Sequence, residues 1–203
     1  MIKDDLDSGI PERVVLKVAV LSEGALLLLS LLWNWWRPAD LYLVFDGDAV
    51  YKGLRATGPL IAFNFGVFGV LANLKDKYRI YREFRDKIVY PLCRNLSVAG
   101  ALILAVCSGT AEEILFRGVM YYEARSLLEA PLAAVLVSLL FAYVHFIGVL
   151  RRYFAVFVFY CLFGLYFAYL VEWTGNLAVP IIAHGLYNFL AILMIKYFVK
   201  PPA

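Results

Sequence analysis

Cysteine and histidine are scarce in this sequence, with three cysteines and two histidines among 203 residues. Cys93, Cys107 and Cys161 have no short metal-ligand spacing, and they imply no disulfide framework. The motif His-Glu-x-x-His, which places two zinc ligands one helical turn apart, is absent. No small-residue cleavage site follows the first leucine-rich run, so we expect no removable secretory signal and a first helix that stays attached.

Apolar residues dominate the composition and set the class of protein. Hydrophobic residues make up 63% of the chain, and the mean hydropathy is +0.76. Such a chain is too apolar for an ordinary water-soluble core, so the predicted solvent is a lipid bilayer. The net charge is only +3, but seven Lys and Arg residues lie between Lys75 and Arg94. Beside hydrophobic spans such a run is typical of a cytoplasmic loop, and we expect no nucleic-acid partner.

Long apolar runs indicate about six transmembrane helices, each close to the roughly 20 residues that cross about 30 Å of hydrocarbon. The predicted spans are 14–33, 57–72, 96–128, 131–150, 153–171 and 177–199. The predicted fold class is therefore all-α, a polytopic membrane helix bundle. Residues 1–95 would form N-terminal helices and the basic loop, and 96–203 a catalytic core, within one membrane domain. The polar stretch 41–55 is predicted to be an extramembrane loop.

Six spans place both termini on the same side of the membrane. If the basic loop is cytoplasmic, most of the other Lys and Arg residues also fall on the cytoplasmic side, as the positive-inside rule requires. We therefore expect a multi-pass protein with both termini in the cytoplasm.

The third predicted span carries three charged residues, Glu112, Glu113 and Arg117. A charge near the bilayer centre costs roughly 2.5 kcal/mol or more, so such residues are candidates for function. Glu113 and Arg117 are four residues apart, on one helix face, and are predicted to pair. Glu112 is left over as a candidate general base in an apolar cavity. Glu23 lies deep in the first span and must face protein, water or a partner.

Both histidines, His145 and His184, fall within predicted membrane helices. Asn188 follows His184 by four residues, so the two side chains share a face and can act on one bound group. Phe141 precedes His145 by the same step.

The depth of these residues gives a geometric test. Glu112 and His145 are nearly equidistant in sequence from a turn near Glu129, so antiparallel helices would bring them to the same level. The turns flanking His184 imply a different depth. Either the third and fourth helices project beyond the bilayer, or a helix is offset or broken around a cavity.

Three short motifs follow one another on successive apolar helices. They are Glu-Glu-x-x-x-Arg at Glu112, Glu113 and Arg117, Phe-x-x-x-His at Phe141 and His145, and His-x-x-x-Asn at His184 and Asn188. Together they resemble the CAAX protease and bacteriocin-processing family (CPBP, or Abi) over about residues 96–190. The resemblance implies an intramembrane endopeptidase with an active-site cavity, in a bacterial or archaeal cell membrane. The implied partners are membrane lipids and a peptide or protein substrate that is lipid-anchored or has a C-terminal membrane anchor, cut near its C-terminus or its membrane-proximal part.

The resemblance also implies roles for the motif residues. Glu112 would activate water with help from His145, while His184 and Asn188 would stabilise the oxyanion. The supporting residues would be Glu113, Arg117 and Phe141. We expect no cofactor, because no His-Glu-x-x-His pair is present and Asn188 suits an oxyanion better than zinc. The alternative is zinc held by Glu112, His145 and His184 with an open fourth position.

Two other functions stay open at this point. In a non-catalytic bacteriocin-immunity or scaffold protein, the polar residues would only lock helices together, and Glu112→Ala would cost stability rather than activity. A small transporter or proton relay also places Glu and His residues in a membrane, but the sequence shows no inverted repeat.

Overall fold

The computed structural model describes residues 9–38, 42–64, 66 and 79–199, and all regular structure in these ranges is helical. In chain order the α-helices are α1 (Glu12–Trp36), α2 (Gly47–Phe63), α3 (Arg79–Phe84), α4 (Tyr90–Cys93), α5 (Val98–Glu113), α6 (Tyr121–Leu127), α7 (Ala130–His145), α8 (Phe154–Thr174) and α9 (Ala178–Phe198). Two π-helical segments, Arg85–Val89 and Ile114–Met120, join α3 to α4 and α5 to α6. The predicted all-α helix bundle is confirmed.

Four helices of the described chain are long and apolar enough to cross a membrane, where the sequence predicts six spans. They are α1, the continuous 30-residue helix Val98–Leu127, α8 and α9. The fourth predicted span is the shorter apolar helix α7, which has 16 residues. Lengths and composition together identify an integral membrane protein.

The predicted loop 41–55 is wrong from Gly47 onward, because α2 begins there. The Asp46 side chain accepts a hydrogen bond from the Ala49 backbone N–H at 2.8 Å and so caps the helix. The Asp-Gly-Asp sequence that suggests a turn is in fact a helix start. Residues 67–72 of the second predicted span lie outside the described residues.

The predicted basic loop is also wrong where the structure describes it, from residue 79, since 79–93 is helical; residues 75–78 lie outside the described ranges. Aromatic residues on one face fold this segment against the bundle. The ring of Phe84 lies 5.7 Å from that of Phe146 and 5.2 Å from that of Tyr153. On the polar side, hydrogen bonds from Lys87 and Arg152 hold the pKa of Glu83 below its usual range.

Helices α5 and α9 approach closely, and this contact sets the geometry of the polar residues. A Cβ atom on Gly109 would lie 2.7 Å from the backbone nitrogen of Gly185. Only glycine permits that approach without displacing backbone atoms. Because Gly109 is one turn before Glu113 and Gly185 follows His184, the contact brings their carboxylate and imidazole together.

Helix α7 ends at His145, so the predicted fourth span, which runs to residue 150, is too long. Turns follow, and Gly148 adopts a φ of +82°, a left-handed conformation that favours glycine. The long helix Val98–Leu127 rises about 45 Å, more than the hydrocarbon thickness of about 30 Å. The third helix is thus long enough to project, as the first alternative expects, but the fourth is not, because α7 has only 16 residues.

Candidate active site

Glu112 lies at the centre of the polar cluster. It is on the last turn of α5 and is 8% exposed. Its Oε2 atom lies 3.6 Å from Nε2 of His145 and 3.9 Å from Nε2 of His184. The prediction that Glu112 and His145 lie at one level is confirmed, and His184 joins them from α9.

Each histidine is held by its Nδ1 atom. In His145, Nδ1 lies 2.8 Å from the carbonyl oxygen of Phe141, and a carbonyl only accepts, so Nδ1 carries the proton. In His184, Nδ1 lies 2.8 Å from Oε1 of Glu113 and donates to that carboxylate. Both rings therefore turn Nε2, the other nitrogen, towards Glu112.

The predicted pair of Glu113 and Arg117 is confirmed as a contact. Arg117 donates from Nη1 to Oε1 of Glu113 at 3.1 Å, with both side chains fully buried. Its Nη2 donates to the backbone carbonyl of Gly164 on α8 at 3.1 Å. The guanidinium also lies 4.3 Å from the ring centroid of Phe141, the third predicted supporting residue. Arg117 thereby fixes Glu113, which in turn fixes His184.

Asn188 lies one helical turn after His184 and lines the same cavity. Its Nδ2 donates to the Ser108 hydroxyl at 2.9 Å, which leaves the second N–H of the amide for another acceptor. The structure thus brings together all four predicted catalytic residues. Their catalytic roles remain predictions.

The polar cluster opens into a cavity of about 860 Å³. Most of its lining is apolar, and it extends between α1, α9 and the segment 81–93. The volume is within the range of about 300–1,000 Å³ that is typical of ligand pockets. The apolar walls suit the hydrophobic part of a ligand. The polar groups at one part of the cavity suit a reaction at a single polar bond of that ligand.

The long helix changes from α-helical to π-helical hydrogen bonding directly after Glu113. Residues Ile114–Met120 are π-helical, and α6 then resumes the ordinary pitch. Short π-helical turns are frequent at functional sites. Here the π-helical segment carries Arg117 and is buried along most of its length, so the wider turn lies in the wall of the cluster.

Residues 94–190 match the model of a protein family described as type II CAAX prenyl endopeptidase Rce1-like. The match is consistent with the CAAX protease and bacteriocin-processing family. The matched segment contains all three motifs, and the resemblance predicted from them is confirmed. No curated protein and no solved structure matches the chain. The match to the CAAX endopeptidase family supports an intramembrane endopeptidase in general, acting on a peptide or protein.

Two side chains near the polar cluster belong to none of the three motifs. Ser108 orients Asn188, and its position four residues before Glu112, on the same helix face, is a signal that could have found it. Tyr160 lines the cavity, and its ring centroid lies 5.0 Å from that of His145. Nothing in the sequence around Tyr160 distinguishes it from the other aromatic residues of α8.

The zinc alternative rests on the same three side chains. Their facing donor atoms, Oε2 of Glu112 and Nε2 of His145 and His184, are of the types that zinc accepts. Within the described ranges, however, no group of three or more His, Cys, Asp or Glu residues is arranged to hold a metal ion.

Proposed function

We propose that the protein is an intramembrane endopeptidase in which Glu112 activates a water molecule. The proposal rests on the surroundings of Oε2 of Glu112. This atom is buried, has no hydrogen-bond partner among the described residues, and faces an imidazole nitrogen of each of two histidines. A buried carboxylate oxygen without a partner is costly in a structural cluster. It is suited to accepting a proton during a reaction.

The reaction uses one water and one peptide bond. Glu112 takes a proton from water while the water oxygen attacks the carbonyl carbon. The same proton then passes to the leaving nitrogen, the C–N bond breaks, and a carboxylic acid and an amine are formed. His145 assists because its Nδ1 proton is held by Phe141, which leaves Nε2 to orient the water.

His184 and Asn188 would stabilise the oxyanion that forms on the carbonyl oxygen. Asn188 donates with the N–H that Ser108 does not use, and His184 donates from Nε2 when it carries both protons. The buried pair of Glu113 and Arg117 would hold the imidazole of His184 in place, because Glu113 contacts both Arg117 and His184.

The proposed substrate carries an apolar anchor beside the bond that is cut. The apolar cavity suits a lipid-anchored peptide or a C-terminal membrane anchor, and the family description favours a prenylated one. The basic residues of the segment 79–94 favour a cytoplasmic location for that segment, and with it cytoplasmic termini, in a bacterial or archaeal cell membrane.

A strong chelator is expected to leave cleavage unchanged, because the proposed route uses no metal. The measurement is the cleavage rate of farnesylated and C-terminally anchored peptides by purified protein in detergent, with and without the chelator. The control is a zinc endopeptidase treated in parallel. If the chelator stops cleavage and added zinc restores it, Glu112, His145 and His184 are zinc ligands and the metal-free mechanism is wrong.

Replacing Asn188 with Ala is expected to lower kcat by about 10²–10³-fold, the usual effect of losing one oxyanion donor. Because the donor acts on a charge that forms during the reaction, KM should change little. Ser108→Ala is the matched control, and it should have a smaller effect since it removes only the group that orients Asn188. An unchanged kcat for N188A would exclude Asn188 from the oxyanion site.

A further inference from the structure

Glu23 is a carboxylate in the same cavity that the proposed mechanism does not use. On α1, Val15 and Ala19 are buried at helical spacing, and Glu23 continues that face one turn later. Helix α1 packs against α5 and the π-helical segment Ile114–Met120. Glu23 therefore points into the cavity and lines it together with Glu112 and His145.

The structure gives Glu23 no structural partner among the described residues. Its Oε2 atom is buried and has no hydrogen-bond partner there, and no described salt bridge includes it. It is nevertheless close enough to Glu112, His145 and His184 to interact with them electrostatically. A carboxylate inside a membrane helix costs roughly 2.5 kcal/mol or more. A carboxylate that forms no stabilising contact within the described protein is therefore a candidate for binding a ligand.

The charges around the cavity suggest what Glu23 binds. Arg117 forms an ion pair with Glu113. Arg85 is the arginine among the described residues that line the cavity, and its Nε lies 2.6 Å from Oδ1 of Asp86. Among the described residues that line the cavity, the two carboxylates that remain are Glu112 and Glu23. Since proton transfer by Glu112 alone balances the hydrolysis, Glu23 is free to meet a positive group on the substrate.

We infer that Glu23 is a specificity-determining residue that binds a Lys or Arg side chain of the substrate close to the bond that is cut. This inference rests on the proposed endopeptidase function. The cavity walls are apolar, and a charge-assisted hydrogen bond is stronger there than in water. A neutral side chain at the same position would leave the carboxylate without a partner.

Binding to a variant that cannot cut tests the inference without requiring cleavage. The protein carries Glu112→Gln, and the probes are fluorescent farnesylated peptides with a single Lys or a single norleucine scanned over three positions on each side of the cysteine. At one position or more, E112Q should bind the Lys peptide about ten-fold more tightly than the norleucine peptide. The double variant E112Q/E23Q should bind both equally.

Two further variants separate a specific effect from a general one. Ser22→Ala in the same background changes a neighbouring residue that lines the cavity and should keep the preference for Lys. Glu23→Lys should reverse the preference, in favour of peptides with Glu. The inference is overturned if no position shows a preference for Lys, or if E112Q and E112Q/E23Q show the same preference. Absence of cleavage by the wild type, by contrast, would overturn the proposed function and leave this binding result intact.

Discussion

Replacing Glu112 with Gln is expected to lower kcat for peptide cleavage by about 10³-fold, within the range for loss of a general base. Gln has the shape of Glu but cannot take a proton from water. The thermal unfolding temperature should stay close to that of the wild type, because Oε2 of Glu112 has no hydrogen-bond partner in the described part of the chain. The measurements are single-substrate kinetics and thermal unfolding in the same detergent.

The matched control for this variant is Glu123→Gln on the same long helix. Glu123 accepts a hydrogen bond from Trp33 and pairs with Arg37, away from the cavity. Its replacement should not change kcat. The scaffold hypothesis makes the opposite prediction for Glu112, since there the carboxylate locks helices together. A loss of thermal stability in E112Q, with no cleavage by any form of the protein, would favour that hypothesis.

Replacing Arg117 with Met is expected to lower the free energy of unfolding by about 3–5 kcal/mol, the cost of breaking a buried ion pair by removing one partner. Glu113 would keep its bond to His184 but lose the charge that balances it. The backbone carbonyl of Gly164 would lose its donor, and Phe141 its cation. Reversible chemical unfolding in detergent measures the change.

Two controls distinguish a buried charge from a general loss of contacts. The double variant E113Q/R117M removes both charges, so it should lose less stability than R117M alone. Arg125→Met removes a partly exposed pair with Glu172 and should cost about 1 kcal/mol or less. If R117M is no more destabilising than R125M, the pair does not support the site as described.

The residues of the polar cluster could be predicted because each is a polar or charged residue within an apolar helix. Charges such as Glu112 and Arg117 are expensive in a membrane helix, and their helical spacing fixes which of them can pair. Glu112 and His145 are nearly equidistant in sequence from one turn, and this predicted their common level. The family match over residues 94–190 contains the same motifs.

The parts that could not be predicted depend on tertiary packing or on a single turn. The segment 79–93 looks polar in sequence. In the structure it is helical, and the ring of Phe84 packs against that of Phe146. Helix α7 stops at His145 because of the turns around Gly148, although the apolar run continues beyond it. Whether Glu23 faced the cavity depended on how α1 packs against α5, which no periodicity within α1 determines.

Single-turnover cleavage of a farnesylated peptide in ¹⁸O-labelled water tests the central claim most directly. Mass spectrometry of the first-turnover product shows which oxygen enters the new carboxyl group. We predict one ¹⁸O atom in that group for the wild type and no product from E112Q on the same time scale. Unlabelled oxygen in the product would mean that a carboxylate of the protein, rather than water, attacks the peptide. Cleavage by E112Q at the wild-type rate would contradict the role of Glu112 altogether.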